Sequence, residues 1–177
     1  TKKRKLIVQS ESEYIYAKEL YLFKEDILST SLDEVVDLLR PDSNLSESKR
    51  IFIVRNSKEG RSIRNMGEII PILNEFGFQL VDCNKLSLME QVELFSSASF
   101  VIGIHGAGLT NTLFKKGGSL QVLEIAPDLD FHPEHYKNIC KKYGFEHNLI
   151  YGQDLDKNAN FRLNPDCLRD FLNKFEK

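Results

Sequence analysis

The sequence predicts an α/β protein in three layers, a parallel sheet covered by helices on both faces. Three observations predict it. Short, continuous apolar runs such as residues 51–54 (IFIV) recur, as expected of strands buried on both faces. Between them lie stretches with apolar residues at helical spacing, such as Leu88, Val92 and Phe95. One run, residues 100–104, passes directly into the turn HGAGLTN (105–111), which opens a helix. Strands alternating with helices imply parallel pairing, and such sheets take ligands at the carboxyl ends of their strands.

The elements follow in order. Residues 6–8 and 14–23 read as short strands, and 32–40 as a helix ended by Pro41. The polar stretch PDSNLSESK (41–49) is a linker. Residues 1–49 are therefore expected to be an arm or a remnant of a neighbouring domain, and 50–177 the sheet domain. Residues 64–76 are helical, with Ile69, Leu73 and Phe76 on one face. Pro71 makes that helix start late or kink, and Gly77 caps it. Residues 78–81 are a strand and 88–98 an amphipathic helix, followed by the strand 100–104. A strand at 120–125 precedes a helix at 132–143 that turns Tyr136, Ile139, Cys140 and Tyr143 inward. A strand at 145–151 and a helix at 165–175, with Leu168, Phe171, Leu172 and Phe175 at helical spacing, complete the pattern.

Charge and composition exclude several classes. With 24 basic against 26 acidic residues, the chain lacks the basic excess of a nucleic-acid binder, and its one cluster, KKRK at 2–5, reads as a solvated tail. No apolar run reaches the roughly 18 residues of a membrane span. Cys83, Cys140 and Cys167 are too few and too scattered for a disulfide framework or a zinc site; Cys140 and Cys167 fall on apolar helix faces. A reducing compartment is expected, the bacterial cytoplasm or the inner-membrane surface; for a eukaryotic source the expected location is instead the Golgi or ER lumen. The chain opens on Thr1, without a leader, as a piece of a longer protein does. The tripeptide Asn44-Leu45-Ser46 is a glycosylation sequon of the kind that arises by chance.

The chemistry concentrates in residues 103–111 (GIHGAGLTN). Gly103, Gly106 and Gly108 surround His105 and Ala107, and glycine lets another group approach the backbone closely. The helix expected to begin near Leu109 presents unpaired N–H groups and a partial positive charge, so the turn is a ready anion site. Thr110 and Asn111 add side-chain donors, and His105 an imidazole at the strand tip. The competing interpretation is a tight strand-to-helix turn that binds nothing. The spacing matches neither the G-x-G-x-x-G dinucleotide fingerprint nor a P-loop, which disfavours nicotinamide and ATP enzymes.

Three blocks in this order, RNSKEGRSIRNMGEI (55–69), LSLMEQVELFSSASFVIGIHGAGLTNTLF (86–114) and LQVLEIAP (120–127), resemble glycosyltransferase family 61, over roughly residues 51–151. That family includes plant xylan-decorating transferases, animal O-linked N-acetylglucosamine transferases and bacterial capsular polysaccharide proteins. The resemblance implies the Rossmann-like C-terminal half of a GT-B enzyme, which holds a nucleotide sugar across a cleft from an N-terminal domain. It further implies inverting transfer without a metal or other cofactor, with a UDP-sugar as donor and a glycan or protein hydroxyl as acceptor. By position it matches Arg55, Arg61, Asn65, Glu68, Glu90, Gln91 and Glu124 to family residues; taken with the turn, the expected donor-binding set is Arg55, Arg61, Asn65, Gly106, Ala107, Gly108, Leu109, Thr110, Asn111 and Glu124, and the expected catalytic residue is His105. Met66 departs from the family's usual Glu.

Alternatives stand beside several of these roles. Arg55 and Arg61 suit phosphate by their planar forks, or act as surface or ion-paired arginines, Arg61 with Glu68. Asn65 caps the following helix or touches donor; Glu124 accepts ribose hydroxyls or pairs with a lysine. Gln91 braces the loop by hydrogen bonds. Residues 128–135 (DLDFHPEH), with His132 and His135, read as a polar helix start before a metal cluster. With no base in the chain other than His105, the general base is expected on the absent N-terminal domain, the chain's expected partner alongside donor and acceptor. The alternative function is a non-catalytic nucleotide-binding or interaction module of the same fold.

Overall fold

In a computed structural model the chain is described over residues 30–39, 48–55, 60–115, 117–128 and 133–175. The expected strands at 6–8 and 14–23, the linker at 41–47, the sequon, Asp130 and His132 lie outside the described residues.

Among the described residues five strands form one all-parallel sheet: β1 Lys49–Ile53, β2 Phe78–Val81, β3 Ala98–Ile104, β4 Gln121–Pro127 and β5 Glu146–Gly152. Their spatial order is β2-β1-β3-β4-β5, and every neighbouring pair runs parallel. The helices are α1 Thr30–Leu39, α2 Met66–Glu75, α3 Leu88–Ser96, α4 His135–Tyr143 and α5 Pro165–Leu172, and they flank both faces. The fold is Rossmann-like. Alternate residues of one strand feed opposite cores. Ile51 and Ile53 pack with α1, α3 and α4 around Val36, Phe95 and Ile139, whereas Phe52 packs with α2 and α5 around Ile69, Leu73 and Leu168. A strand apolar on both sides is what this arrangement demands, and residues 51–53 supply it.

Local chemistry sets the boundaries. Ser87 and Glu90 close a capping box at the start of α3, and the Asn164 side chain accepts from Asp166 and Cys167 ahead of Pro165 in the first turn of α5. The helix containing Pro71 starts late, at Met66, and Gly77 follows it in a left-handed conformation (φ 71°). Gly144 ends α4 in the same way. Three expectations are corrected. Leu88, expected on the apolar stripe of α3, is 54% exposed, because its place in the first turn leaves it beyond the sheet's edge contacts while Val92 and Phe95 are fully buried. Cys167 is exposed, since α5 turns Leu168 and Leu172 inward instead. The segment after β3, Ala107–Lys115, is a 3₁₀ helix instead of an α-helix.

Candidate functional site

The strand order reverses between β1 and β3. From β1 the chain steps outward to β2, then returns across β1 to β3, so the connections leaving β1 and β3 diverge and open a crevice at the strands' carboxyl ends. A cavity of about 260 Å³ occupies that crevice. It is lined by Arg55 beyond β1, Cys83 and Asn84 beyond β2, Gly106, Ala107 and Gly108 beyond β3, and Arg61.

Each lining group has a structural reason to be there. Arg55 Nε donates to the Gly60 carbonyl at 3.0 Å, which bends the side chain back over the strand end. Its guanidinium lies so close to Gly106 that a Cβ on that glycine would sit 2.4 Å from Arg55 Nη1. Gly103 has a packing role: a Cβ there would come within 2.8 Å of Leu109 Cδ2, so its absence lets the 3₁₀ segment press onto β3. Leu109 fills that space, wholly buried. The first turn of such a segment leaves its leading N–H groups without partners inside it, and here those belong to the glycine turn.

Arg61 is delivered by a strap from the far end of the chain. Its backbone is left-handed (φ 52°), a conformation that costs a non-glycine residue of order 1–3 kcal/mol, and neighbouring bonds hold it there. Arg61 N–H donates to the Asn158 carbonyl at 3.1 Å. Ser62 donates from both its backbone and its hydroxyl to Asn160 Oδ1, at 3.0 and 2.8 Å. Ile63 and Phe161 form a parallel bridge.

Beside the crevice lies a second constellation, in the interior. Glu124 on β4 is 1% exposed, and both its carboxylate oxygens are engaged by imidazoles. Oε1 meets His105 Nδ1 at 2.5 Å, and Oε2 meets His147 Nε2, from β5, at 2.8 Å. The Tyr136 ring stands edge-on to His105, with centroids 5.1 Å apart. Burial holds the Tyr136 hydroxyl above its ordinary pKa despite a hydrogen bond with Thr110; the Glu124 charge adds to the rise, and Arg61 and Arg55 oppose it. The Cys140 thiol nearby is pushed up to about 12, first by burial and then by the Glu124 charge.

The family model described as Glycosyltransferase 61 matches residues 4–122, which carry β1 to β3 and the crevice turn. The chain belongs to the glycosyltransferase 61 family. The family is named for glycosyl transfer. It is also similar to the EGF domain-specific O-linked N-acetylglucosamine transferases of Bos taurus and Pan troglodytes, at 36% identity over 70 residues in each case. That alignment covers 37% of this chain and only 13% of the length of each of those relatives.

Of the residues expected to hold a donor, Arg55, Arg61, Gly106, Ala107 and Gly108 line the one crevice. Others are committed elsewhere. Asn65 neither lines the crevice nor caps α2 through its side chain; its amide donates to the Leu163 carbonyl at 2.9 Å and accepts from the Leu163 N–H at 3.0 Å, fastening the strap. The Leu109 N–H donates to the Gly106 carbonyl inside the turn. Asn111 Nδ2 donates to Gln91 Oε1 at 2.8 Å and to Cys83 Sγ at 3.7 Å, while Gln91 Nε2 donates to the carbonyls of Cys83 and Leu86. Gln91 and Asn111 thus lock the glycine turn to the loop after β2. Thr110 is exposed and bonded to Tyr136. Glu124 pairs with His105 and His147 and not with a lysine, because its position on β4 puts it between Gly103 and Leu149, under α4. Glu68 pairs with Arg162, not Arg61, at 2.6 Å. His147 and the strap residues Asn158 and Asn160 carry no clear signal in the sequence. A histidine inside a seven-residue strand is a weak mark, and nothing in the spacing connects it to residues 23 and 42 positions away.

Proposed function

We propose that the β1–β3 crevice binds the diphosphate of a nucleotide-sugar donor, a UDP-sugar, in an inverting GT-B glycosyltransferase that transfers the sugar to a glycan or protein hydroxyl. One observation carries it: two arginines of the connection between β1 and α2, Arg55 and Arg61, converge with the Gly106–Gly108 backbone on a single cavity at the topological switch point. Guanidinium forks match phosphate oxygens bidentately, and the glycine backbone adds N–H donors without side chains in the way. Such contacts would stabilise the departing diphosphate as the glycosidic bond to the donor breaks. His105, next to Gly106 in the chain and anchored by Glu124 through Nδ1, would handle a proton at the acceptor or hydrogen-bond the leaving phosphate. The acceptor-side domain, and with it any further base, belongs to the longer protein. The proposed chemistry needs no metal or other cofactor.

A thermal-shift series with UDP, GDP, CMP and NAD tests this. At 100 times its Kd, a bound nucleotide adds about 2.7 kcal/mol of stability. UDP is expected to stabilise the chain and NAD is not; no stabilisation by any nucleotide would sink the donor-site assignment. Gly108→Val is expected to abolish the UDP effect by filling the turn. Its Cβ also lies 3.0 Å from Ile53 Cγ2, so some loss of stability accompanies it. Gly106→Ala is the cleaner variant, since its methyl meets only the far end of the Arg55 side chain closely.

A further inference from the structure

We propose that His147 is a positioning residue for His105, acting through Glu124: it anchors the far oxygen of the buried carboxylate so that the near oxygen holds His105 in one tautomer and one ring orientation. The functional consequence for ligand binding rests on the donor-site proposal above; the positioning itself does not. Glu124 is 1% exposed, and a buried carboxylate is stable only if its oxygens are hydrogen-bonded. Two imidazoles do this from opposite sides, His105 at Oε1 and His147 at Oε2. An ionised carboxylate only accepts, so each imidazole must donate: His105 from Nδ1 and His147 from Nε2. That fixes His105 as the Nδ1–H form, with Nε2 the ring nitrogen that Glu124 does not hold. The same device, a carboxylate on one imidazole nitrogen that sets the role of the other, operates in hydrolytic triads.

The geometry gives His147 leverage. Glu124 and His147 stand on adjacent strands and on the same face, where Val122 pairs with His147 and Glu124 with Leu149. His105 directly continues β3, with its N–H on the Ile125 carbonyl at 2.8 Å. The three residues therefore ride on three neighbouring strands, a rigid frame in which a lost contact at Oε2 is felt at Oε1. The side chains of His105 and His147 are 13% and 11% exposed, so both imidazoles are held mainly by protein groups.

Long-range ¹H–¹⁵N correlation spectra of the unliganded protein decide it, since the chain holds only four histidines. The expected spectrum shows His105 protonated at Nδ1 and His147 at Nε2. In His147→Gln the amide donor replaces Nε2–H, so His105 keeps its tautomer. In His147→Leu, His105 becomes a tautomer mixture, and the Kd for UDP by calorimetry rises about tenfold or more, the scale seen when an imidazole's orienting partner is removed from a metal site. A wild-type His105 protonated at Nε2 overturns the proposal, as does a His147→Leu protein with unchanged His105 shifts or a His147→Gln protein with altered ones. Should His147→Leu fail to fold, the wild-type and His147→Gln spectra still decide between these outcomes. If UDP does not bind the wild type, the donor-site proposal falls, and the tautomer measurement stands on its own.

Discussion

The carboxyl rim of the sheet is built in two opposite ways. Between β1 and β3 it is open and made largely of backbone: a glycine turn, two arginines reaching in from loops, and a cavity of about 260 Å³. Between β3 and β5 it is made of side chains: a carboxylate out of solvent, clamped by two imidazoles under α4, with a second cavity of about 390 Å³ beside Glu124 and His147. The first region trades packing for access, while the second holds a buried carboxylate that depends on its hydrogen bonds being made. Mutations should therefore separate them, with binding lost at one and folding lost at the other.

The largest effect is expected at Glu124. Glu124→Ala leaves two buried imidazoles without their common partner and should cost about 3–5 kcal/mol in urea unfolding; a loss below about 1 kcal/mol would mean that the clamp contributes little to the fold. Next comes Asn65→Ala, which strips both the N–H and the carbonyl of Leu163 of their partner in a buried setting and should cost about 1–3 kcal/mol. Because Asn65 fastens the strap that delivers Arg61, the same variant should also weaken UDP binding, and stability loss with an unchanged Kd would disconnect strap from crevice. At the open region the pattern reverses. Arg55→Ala should weaken UDP binding by about 1.5–3 kcal/mol, the range of a hydrogen bond to a charged group, while altering folding stability much less than Glu124→Ala. Equal losses in both assays would erase the contrast between the two regions.

The smallest effect is a matter of pH. The Cys140 thiol is raised from an ordinary value of 9.0 to about 12, by burial first and the Glu124 charge second. Between these values the unfolded chain releases a proton that the folded chain keeps. Stability should therefore fall as pH rises above 9, by at most about 1.4 kcal/mol per unit for this group. Cys140→Ala should flatten that slope between about pH 9 and 11, and an unchanged slope would show that the thiol does not titrate with folding.

The strands of the sheet are legible because burial on both faces demands unbroken apolar runs, and residues 51–54 and 100–104 are such runs. The glycine turn is legible because Gly103, Gly106 and Gly108 are close in the chain and mark a backbone that something approaches. What approaches Gly103 and Gly106 in this structure is Leu109 and Arg55, a distinction that spacing does not carry. The helix after the turn reads as α in the sequence and is 3₁₀, since glycine and threonine in its first residues signal a helix start without specifying its winding.

By itself the sequence determined the fold class, the family blocks and the anion-site character of the turn, because each is written in local periodicity or in adjacent residues. Only the tertiary structure decided which polar groups face the crevice and which are already taken. Asn65, Asn111 and Glu124 look like ligand donors in the chain, yet their partners are Leu163, Gln91 and the pair His105 and His147. The reason is physical: a side chain's hydrogen bonds are set by neighbours that the fold brings together from 19 to 98 positions away, and a buried polar group takes the partner it meets there before any ligand arrives.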